Sequence, residues 1–361
     1  MSEQPDLLYS ETEEDLRAAV RALLADRAGH RVLLDRIETE DPYVPGLWGT
    51  LAADMGAAGL LVPEKLGGQG ASHREAAVVL EELGRAVVPV PYLTSAVVAT
   101  EVLLGLAGED GPATELLAGL AAGRTVAVLA VPLSTAPDAR PPLTPTVTGV
   151  ADAAVADVLL VLRADGLYAV PAAAADVEPL TPLDLTRPLA RVTTAPGSGS
   201  LLAAPDEARA AVRRGLLAGA GLLASEQLGL AEWCLQETVR YTRERHQFNR
   251  PVGSFQALKH RMAQLWLDLV GARASARAAA AALATDGPDA PLLVAVAQAY
   301  CSRVAVRAAE ECVQLHGGIG MTWEHGAHLA LKRAKSDQLA LGSAGRHQDV
   351  VAALMDLPAP A

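Results

Sequence analysis

Aromatic residues make up only 3% of this 361-residue chain, with two Phe, four Trp and six Tyr, so alanine, leucine and valine have to fill the core. Lysine is nearly missing as well (Lys65, Lys259, Lys332 and Lys335), while arginine is common; that bias reflects overall composition and carries no chemistry by itself. With 30 basic against 42 acidic residues and a net charge of −12, no segment is basic enough to neutralise a run of phosphates, which argues against nucleic-acid binding. An anionic ligand would then need local cations placed against the global field. The three cysteines, Cys234, Cys301 and Cys312, fall in helical stretches without C-x-x-C spacing. They read as buried thiols in a reducing compartment, with no disulfide framework or zinc site. The longest charge-free run, 86–100, contains Pro89 and Pro91 and is too short to span a bilayer. The opening stretch MSEQPDLLYSETEED is polar and acidic where an export signal is basic and then apolar. A cytoplasmic protein without membrane insertion is expected.

At this length the chain can bury a large core and hold two or three packed layers. Ser/Thr caps and acidic residues open an amphipathic helix over 10–28, Pro45 opens a second that ends near Gly56, and a Pro/Gly-rich loop covers 58–70. Helical spacing returns over 74–87, 94–107 and 113–122. The first β-like run is 125–131; 157–170 reads as two strands joined at Ala164-Asp165-Gly166, and 190–194 as another strand. From Pro205 the pattern is helical, over about 206–247, 255–285, 289–316 and 324–354, four long antiparallel helices. This gives an α+β chain, mostly α: a helical domain over 1–122, a small β domain over 123–204 and a four-helix bundle over 205–361. Gly215, Gly219 and Gly221 lower the helix propensity of the first bundle helix, so a packing reason is expected for them.

Two stretches stand out. In YTRERHQFNRPVGSFQALKH, 241–260, a helical pattern stops at Asn249-Arg250-Pro251 and a new helix opens after Ser254, read as its N-cap. This puts a guanidinium, able to make paired bonds to phosphate oxygens, beside an aromatic ring able to cover an adenine. In EECVQLHGGIGMT, 310–322, a helix runs into Gly317-Gly318-Ile319-Gly320, where the backbone can turn with positive φ close to a ligand. His316 reads as a helix-end histidine bonded to carbonyls. His325 and His328, at i,i+3, form a metal pair only with a third ligand, and none is in view.

The run Arg245-His246-Gln247-Phe248-Asn249-Arg250-Pro251, continuing to Gln256, and then Gln314-Leu315-His316-Gly317-Gly318-Ile319-Gly320, resembles the flavin-binding motifs of the acyl-CoA dehydrogenase family. One position departs, Asn249 for glycine. The Pro63-Glu64 loop with Gly67, Gly68 and Gly70 and the order of helical and β regions are also similar to that family. The resemblance implies FAD as cofactor, an acyl-CoA substrate and an electron-transfer flavoprotein as electron acceptor. It places Arg245 at the pyrophosphate, Phe248 at the adenosine, Phe255 and Gln256 along the FAD chain, and Gln314, Gly317 and Gly318 at the adenine end of a flavin belonging to the neighbouring subunit. In most members a Glu-Gly-Thr triplet supplies the base that removes the substrate α-proton. Here the matching triplet is Leu341-Gly342-Ser343, so Leu341 occupies the usual Glu position and no catalytic residue is assigned. A minority of relatives carry the base on the first bundle helix, where Gly219 stands. The segments that normally cradle the flavin ring read Ala130-Val131-Pro132-Leu133-Ser134-Thr135 and Val150-Ala151-Asp152-Ala153-Ala154, in which most of the polar groups that would hold the ring are replaced by apolar ones.

The chain is therefore similar to the base-less subunit of actinobacterial heterotetramers acting on steroid side-chain CoA esters, whose partner subunit carries the glutamate. Two alternatives stay open. One is a self-sufficient homo-oligomeric dehydrogenase with a relocated base, the candidates being Asp337, one turn before Leu341, and Glu226, two turns beyond Gly219. Both are expected at the surface or at helix caps. The other is a flavin-free structural or regulatory relative.

Overall fold

A computed structural model describes residues 6–39, 41–108 and 111–357. Helix α1 (Glu11–Arg27) starts at a reciprocal cap, in which the Glu13 amide donates to Ser10 Oγ (3.2 Å) and the Ser10 amide to Glu13 Oε2 (2.6 Å). It is followed by α2 (His30–Arg36), too short for a seven-residue stretch to announce itself by period. A brief α3 (Leu47–Gly49) widens into a π turn that ends before left-handed Gly56, then α4 (His73–Ala86) opens on the Ser72–Glu75 capping box. A π-helical stretch, Tyr92–Ala99, leads into α5 (Thr100–Leu104), and α6 (Pro112–Ala121) completes the helical half.

Seven strands follow: β1 (Ala127–Leu129), β2 (Thr146–Ala151), β3 (Val158–Arg163), β4 (Gly166–Pro171), β5 (Ala175–Leu180), β6 (Leu189–Thr194) and β7 (Ser200–Ala203). They form two sheets, ordered β1-β3-β4-β7 and β2-β6-β5, with β1 parallel to β3 and the other pairs antiparallel. The period-2 alternation divides the first sheet between two cores. Val128, Leu159, Val161 and Val170 face a β-only core with Val147, Val150 and Val192, whereas Leu129, Leu160, Leu162 and Leu167 join the helical core. Three of these strands escape the sequence pattern. A bulge at Gly149 interrupts β2, β5 is half-exposed and reads ADVEPL, and β7 has four residues.

The last third is helical. The 40-residue α7 (Pro205–Glu244) packs on α4, α8 (Gln256–Ala284) and α9 (Ala290–His316). Between α7 and α8 lies a two-residue ladder, β8 (His246–Gln247) on β9 (Arg250–Pro251). Its turn residues, Phe248 (φ 51°) and Asn249 (φ 59°), both have positive φ, the twist a two-residue hairpin prefers. Asparagine tolerates that region, which explains how it replaces the family's glycine. Ser254 is not the N-cap of α8. Phe255 holds that place, and the Ser254 hydroxyl is buried without a partner. The expected fourth helix, 324–354, is also two helices, α10 (Ala327–Asp337) and α11 (Ala344–Leu354). Leu341 (φ 54°) and Gly342 (φ 102°) turn the chain between them, held by Leu341 N–H donating to Leu133 O at 2.7 Å. By length and composition, α9 with its extension to Met321 could cross a membrane, but most of it is buried in the bundle as a core helix.

Two features lock α7 in place. Where it crosses α4 the backbones touch: a Cβ on Gly229 would lie 1.8 Å from the Glu81 carbonyl oxygen and one on Gly84 2.0 Å from that of Glu226. Gly215, Gly219 and Gly221 likewise face Val98, Val102, Leu283 and Val294 at less than van der Waals distance for an added Cβ, which is the packing reason expected for them. The second feature is a buried charge cluster. Arg333 of α10 donates to Asp184 Oδ2 (2.6 Å), Glu226 Oε1 (2.6 Å), Thr186 O (2.6 Å) and Thr186 Oγ1 (2.7 Å). Arg187 pairs with the same Glu226 oxygen and with Asp337 Oδ1 at 3.3 Å. Three carboxylates thus surround two guanidiniums, and the second oxygen of Asp337 has no partner. Burial, and then the Glu226 charge, push Asp337 up to about 8, so it is the group that holds a proton near neutrality.

Three outcomes are expected in urea titrations. Arg333→Met removes the partner of Asp184 Oδ2 and one of the two guanidiniums on Glu226, and should lower unfolding free energy by about 3–5 kcal/mol. Gly229→Ala forces α4 off α7 and should cost about 3 kcal/mol. Because Asp337 keeps its proton in the native state but ionises near its ordinary value when unfolded, its stabilising contribution fades as pH rises from about 4 to about 8. Asp337→Asn imitates the protonated acid, so the stability difference between wild type and variant should shift against wild type by more than about 1 kcal/mol over that range.

Candidate functional site

The residues singled out in the sequence separate into an open platform and a closed interior. The platform is built where α7 and α9 end side by side, joined by Tyr241 stacked on His316 with ring centroids 4.4 Å apart. Arg245 is the C-cap of α7, leaves the helix in an extended conformation and is exposed. The hairpin then lifts Phe248 into solvent, 85% exposed, edge-on to Phe255 with centroids 6.1 Å apart. Gln256 opens α8 with its side chain exposed, and the first amides of that helix have no side-chain cap. Across the stack, Gln314 is exposed on the last turn of α9 and Gly317 takes φ 63° with ψ −139°, a conformation kept for glycine. An added Cβ at Gly317 or Gly318 would meet nothing within 4 Å, so this turn presents bare backbone. Sequence reasoning missed Arg250, whose guanidinium sits 3.9 Å over the Phe255 ring. Its spacing from Phe255 gives no signal, because the contact comes from the hairpin's shape.

Beneath the platform His316 donates Nδ1–H to the Cys312 carbonyl at 2.6 Å, the helix-end bond expected for it. His325 does not pair with His328. It approaches Glu237 instead, while His328 packs edge-on to Trp323. The neighbouring His316, His325 and Arg240 hold the Glu237 carboxyl well below the usual carboxylate range. Cys234, Cys301 and Cys312 are free, buried thiols.

The interior holds Gly219 and Leu341, the positions that the sequence resemblance assigns to a base. A Cβ on Gly219 would lie 3.1 Å from Leu341 Cδ1 and 2.6 Å from Val98 Cγ2, so these two positions converge on one point. That point is apolar. The cavity beside it, lined by Leu93, Val98, Leu129, Val131, Leu133 and Leu341 among others, has a volume of about 30 Å³, room for one or two waters. Among the described residues, Thr94 supplies the one polar side chain in the lining, and its hydroxyl is already donated to Asp152 at 2.7 Å. The Leu341 turn is strapped shut by its bond to Leu133, by His347 Nε2 3.0 Å from Leu341 O, and by Arg346 paired with Asp138. Glu226 and Asp337 are not the surface or capping acids the sequence suggested. Both are buried in the arginine cluster, because their partners Arg187 and Arg333 come from segments far along the chain. Neither lines the cavity at Leu341.

The flavin implied by the motifs therefore fits one end of this chain and not the other. Exposed Arg245, Phe248, Gln256 and Gln314 and the open Gly317-Gly318 backbone match the donors and flat faces a nucleotide end needs. The apolar cavity of about 30 Å³ offers a flavin ring neither space nor free polar partners.

Comparison with known proteins bears on the same point. The family model described as acyl-CoA dehydrogenase, N-terminal domain, matches residues 10–124, and that described as acyl-CoA dehydrogenase, C-terminal domain, matches 209–355. The acyl-CoA dehydrogenase IpdE2 of Mycobacterium tuberculosis is 38% identical over 334 residues, covering 92% of this chain and 94% of that protein. Among solved structures, the ChsE4-ChsE5 complex from Mycobacterium tuberculosis superposes with a TM-score of 0.84 at 27% identity, covering 98% of this chain and 100% of the matched one. A variant of the Tcur3481-Tcur3483 steroid ACAD superposes at 0.83 with 26% identity, covering 96% and 98%. Motifs, fold and relatives over nearly the full length agree, and the chain belongs to the acyl-CoA dehydrogenase family.

Proposed function

We propose that this chain is the base-less subunit of a heteromeric FAD-dependent acyl-CoA dehydrogenase, and that it grips the nucleotide end of a flavin whose ring lies in a partner subunit carrying the catalytic glutamate. One observation carries the reading: both positions available to a base, Gly219 and Leu341, meet in a buried, apolar interior beside a cavity of only about 30 Å³, while the nucleotide platform stands open. One similar structure is the ChsE4-ChsE5 complex and another is the Tcur3481-Tcur3483 steroid ACAD, which supports a second subunit and a steroid side-chain CoA ester as the acyl substrate class. An electron-transfer flavoprotein is the expected electron acceptor, and the cytoplasm the expected compartment.

When bound, FAD supplies the acceptor for the β-hydride of the acyl chain. This chain's contribution is to hold it. Arg245 gives a bidentate, permanently charged partner for the pyrophosphate. Phe248 would cover the adenosine, and Phe255, stiffened by Arg250 above it, would contact the FAD chain together with Gln256. Gln314 and the backbone at Gly317 and Gly318 serve the adenine end. The α-proton leaves to a carboxylate of the partner, since Leu341 accepts none.

Coexpression with a glutamate-bearing family member encoded nearby is expected to give a stable complex with one FAD for every two chains, and the chain alone is expected to bind no flavin and turn over no acyl-CoA. One FAD per chain, or turnover by the isolated chain, sinks the proposal. In the complex, Arg245→Ala should weaken FAD binding by roughly tenfold or more, about 1.4 kcal/mol, with kcat at saturating FAD nearly unchanged; flavin fluorescence titration reads this. Leu341→Glu in the isolated chain should yield no activity and lower stability, because it buries an unpaired carboxylate in a site without a ring.

A further inference from the structure

Glu237 of α7, His316 at the end of α9 and His325 in the loop before α10 bring one ligand atom each to within 4.8 Å of one another. The i,i+3 pair read in the sequence lacks a third ligand, but the fold supplies a different set, with Glu237 arriving from another helix. Glu237 Oε1 lies 3.4 Å from His325 Nε2 and 3.9 Å from His316 Nε2. These separations are longer than the N–H···O optimum of about 2.9–3.0 Å. They approach the edge of a coordination tetrahedron, about 3.3–3.4 Å when metal–ligand bonds are about 2.0–2.1 Å.

A second observation points the same way. The His316 side chain is 0% exposed, yet its Nε2 has no hydrogen-bond partner and is directed at this group. Its Nδ1 is fixed on the Cys312 carbonyl at 2.6 Å, the outer bond that orients a metal-binding imidazole and commits Nε2 to the ion. Glu237 and His325 also line a solvent-connected cavity of about 730 Å³ together with His30, Trp233 and Trp323, so a fourth ligand can reach the ion from outside.

We propose that Glu237, His316 and His325 bind one divalent transition-metal ion of the zinc class, with water or an exogenous donor completing the shell. Arg240, which shares Glu237 Oε1, gives way at that oxygen and keeps Glu237 Oε2, now at 3.0 Å, and Glu244 Oε2, now at 2.9 Å. The amide of Ala327 donates to His325 Nδ1 at 3.1 Å, so coordination through Nε2 moves the ring proton to Nδ1 and ends that bond. A proton on His316 Nε2 is released to solvent. The ion clamps α7 to both flanks of the Gly317–Met321 turn, whose exposed backbone belongs to the platform.

The test uses the tag-free full-length chain, freed of metal by chelator and titrated with Co(II), followed by visible d–d absorption and by metal analysis after dialysis. One tightly held Co(II) per chain, with the intense bands of a low-coordinate site, is expected. His325→Ala and Glu237→Gln should each weaken binding by about tenfold or more, while His246→Ala, at an exposed and unrelated histidine, should not; circular dichroism melting checks that each variant is folded. Wild-type affinity retained in His325→Ala, no uptake above that of His325→Ala, or equal loss in His246→Ala overturns the site. The titration needs neither flavin nor partner subunit, so its failure is distinct from failure of the subunit assignment.

Discussion

Two arginines with no route to solvent fix the centre of this protein. Arg187, from the loop between β5 and β6, and Arg333, from α10, meet Glu226 of α7, and without them three carboxylates would lie unpaired in the core. A buried network of this kind adds little net stability over an apolar filling, since desolvation offsets most of the attraction. What it adds is uniqueness. One Glu226 oxygen serves both guanidiniums, and Arg333 also takes the Thr186 carbonyl, so the sheet loop, α7 and α10 have one mutual arrangement that satisfies them all. The same arrangement sets where α10 ends, and four residues after Asp337 the chain turns at Leu341.

That turn decides what the interior can do. With Leu341 bonded to Leu133 and its side chain against Gly219, the space beside them is a water-sized void. A glutamate there would have to be desolvated, at a cost that a working enzyme accepts in exchange for a raised pKa. Leucine carries no such cost and accepts no proton. Nothing comparable has happened at the far end of α7, where the cationic helix end, the two phenylalanines and the bare glycine turn are all accessible. The molecule is open where a nucleotide would lie and shut where a proton would move.

The parts readable from sequence are those whose causes are local. The capping box at Ser10, the hairpin over 158–170 and the long bundle helices follow from neighbouring residues and periodicity, and so does the composition of both motif stretches. The parts that were not readable depend on distant partners. No period or spacing announces that Glu226 and Asp337 are buried, because Arg187 lies 39 residues from one and 150 from the other. The break between α10 and α11 has local marks in Gly342 and the N-cap Ser343, but the carbonyl that holds the turn, that of Leu133 accepting from Leu341, lies far along the chain. Ser254 looks like a cap and is not one, because the tight turn over Val252–Ser254 carries its hydroxyl inward and leaves Phe255 to begin the helix.

Backbone strain gives an independent way to tell the two ends apart. A non-glycine residue at positive φ costs roughly 1–2 kcal/mol and persists only where something holds it. At Leu341 the holding groups are within the chain: its N–H reaches Leu133, its carbonyl reaches His347, and its side chain is buried. At Phe248 and Asn249 two such residues stand together, and the larger one gives its ring to water, 85% exposed, in contact with little but the edge of Phe255. The β8–β9 ladder holds that turn, and positive φ at both central residues is the geometry a two-residue hairpin prefers. The two turns therefore differ in where they send their side chains: Leu341 is buried against Gly219, and Phe248 stands in solvent.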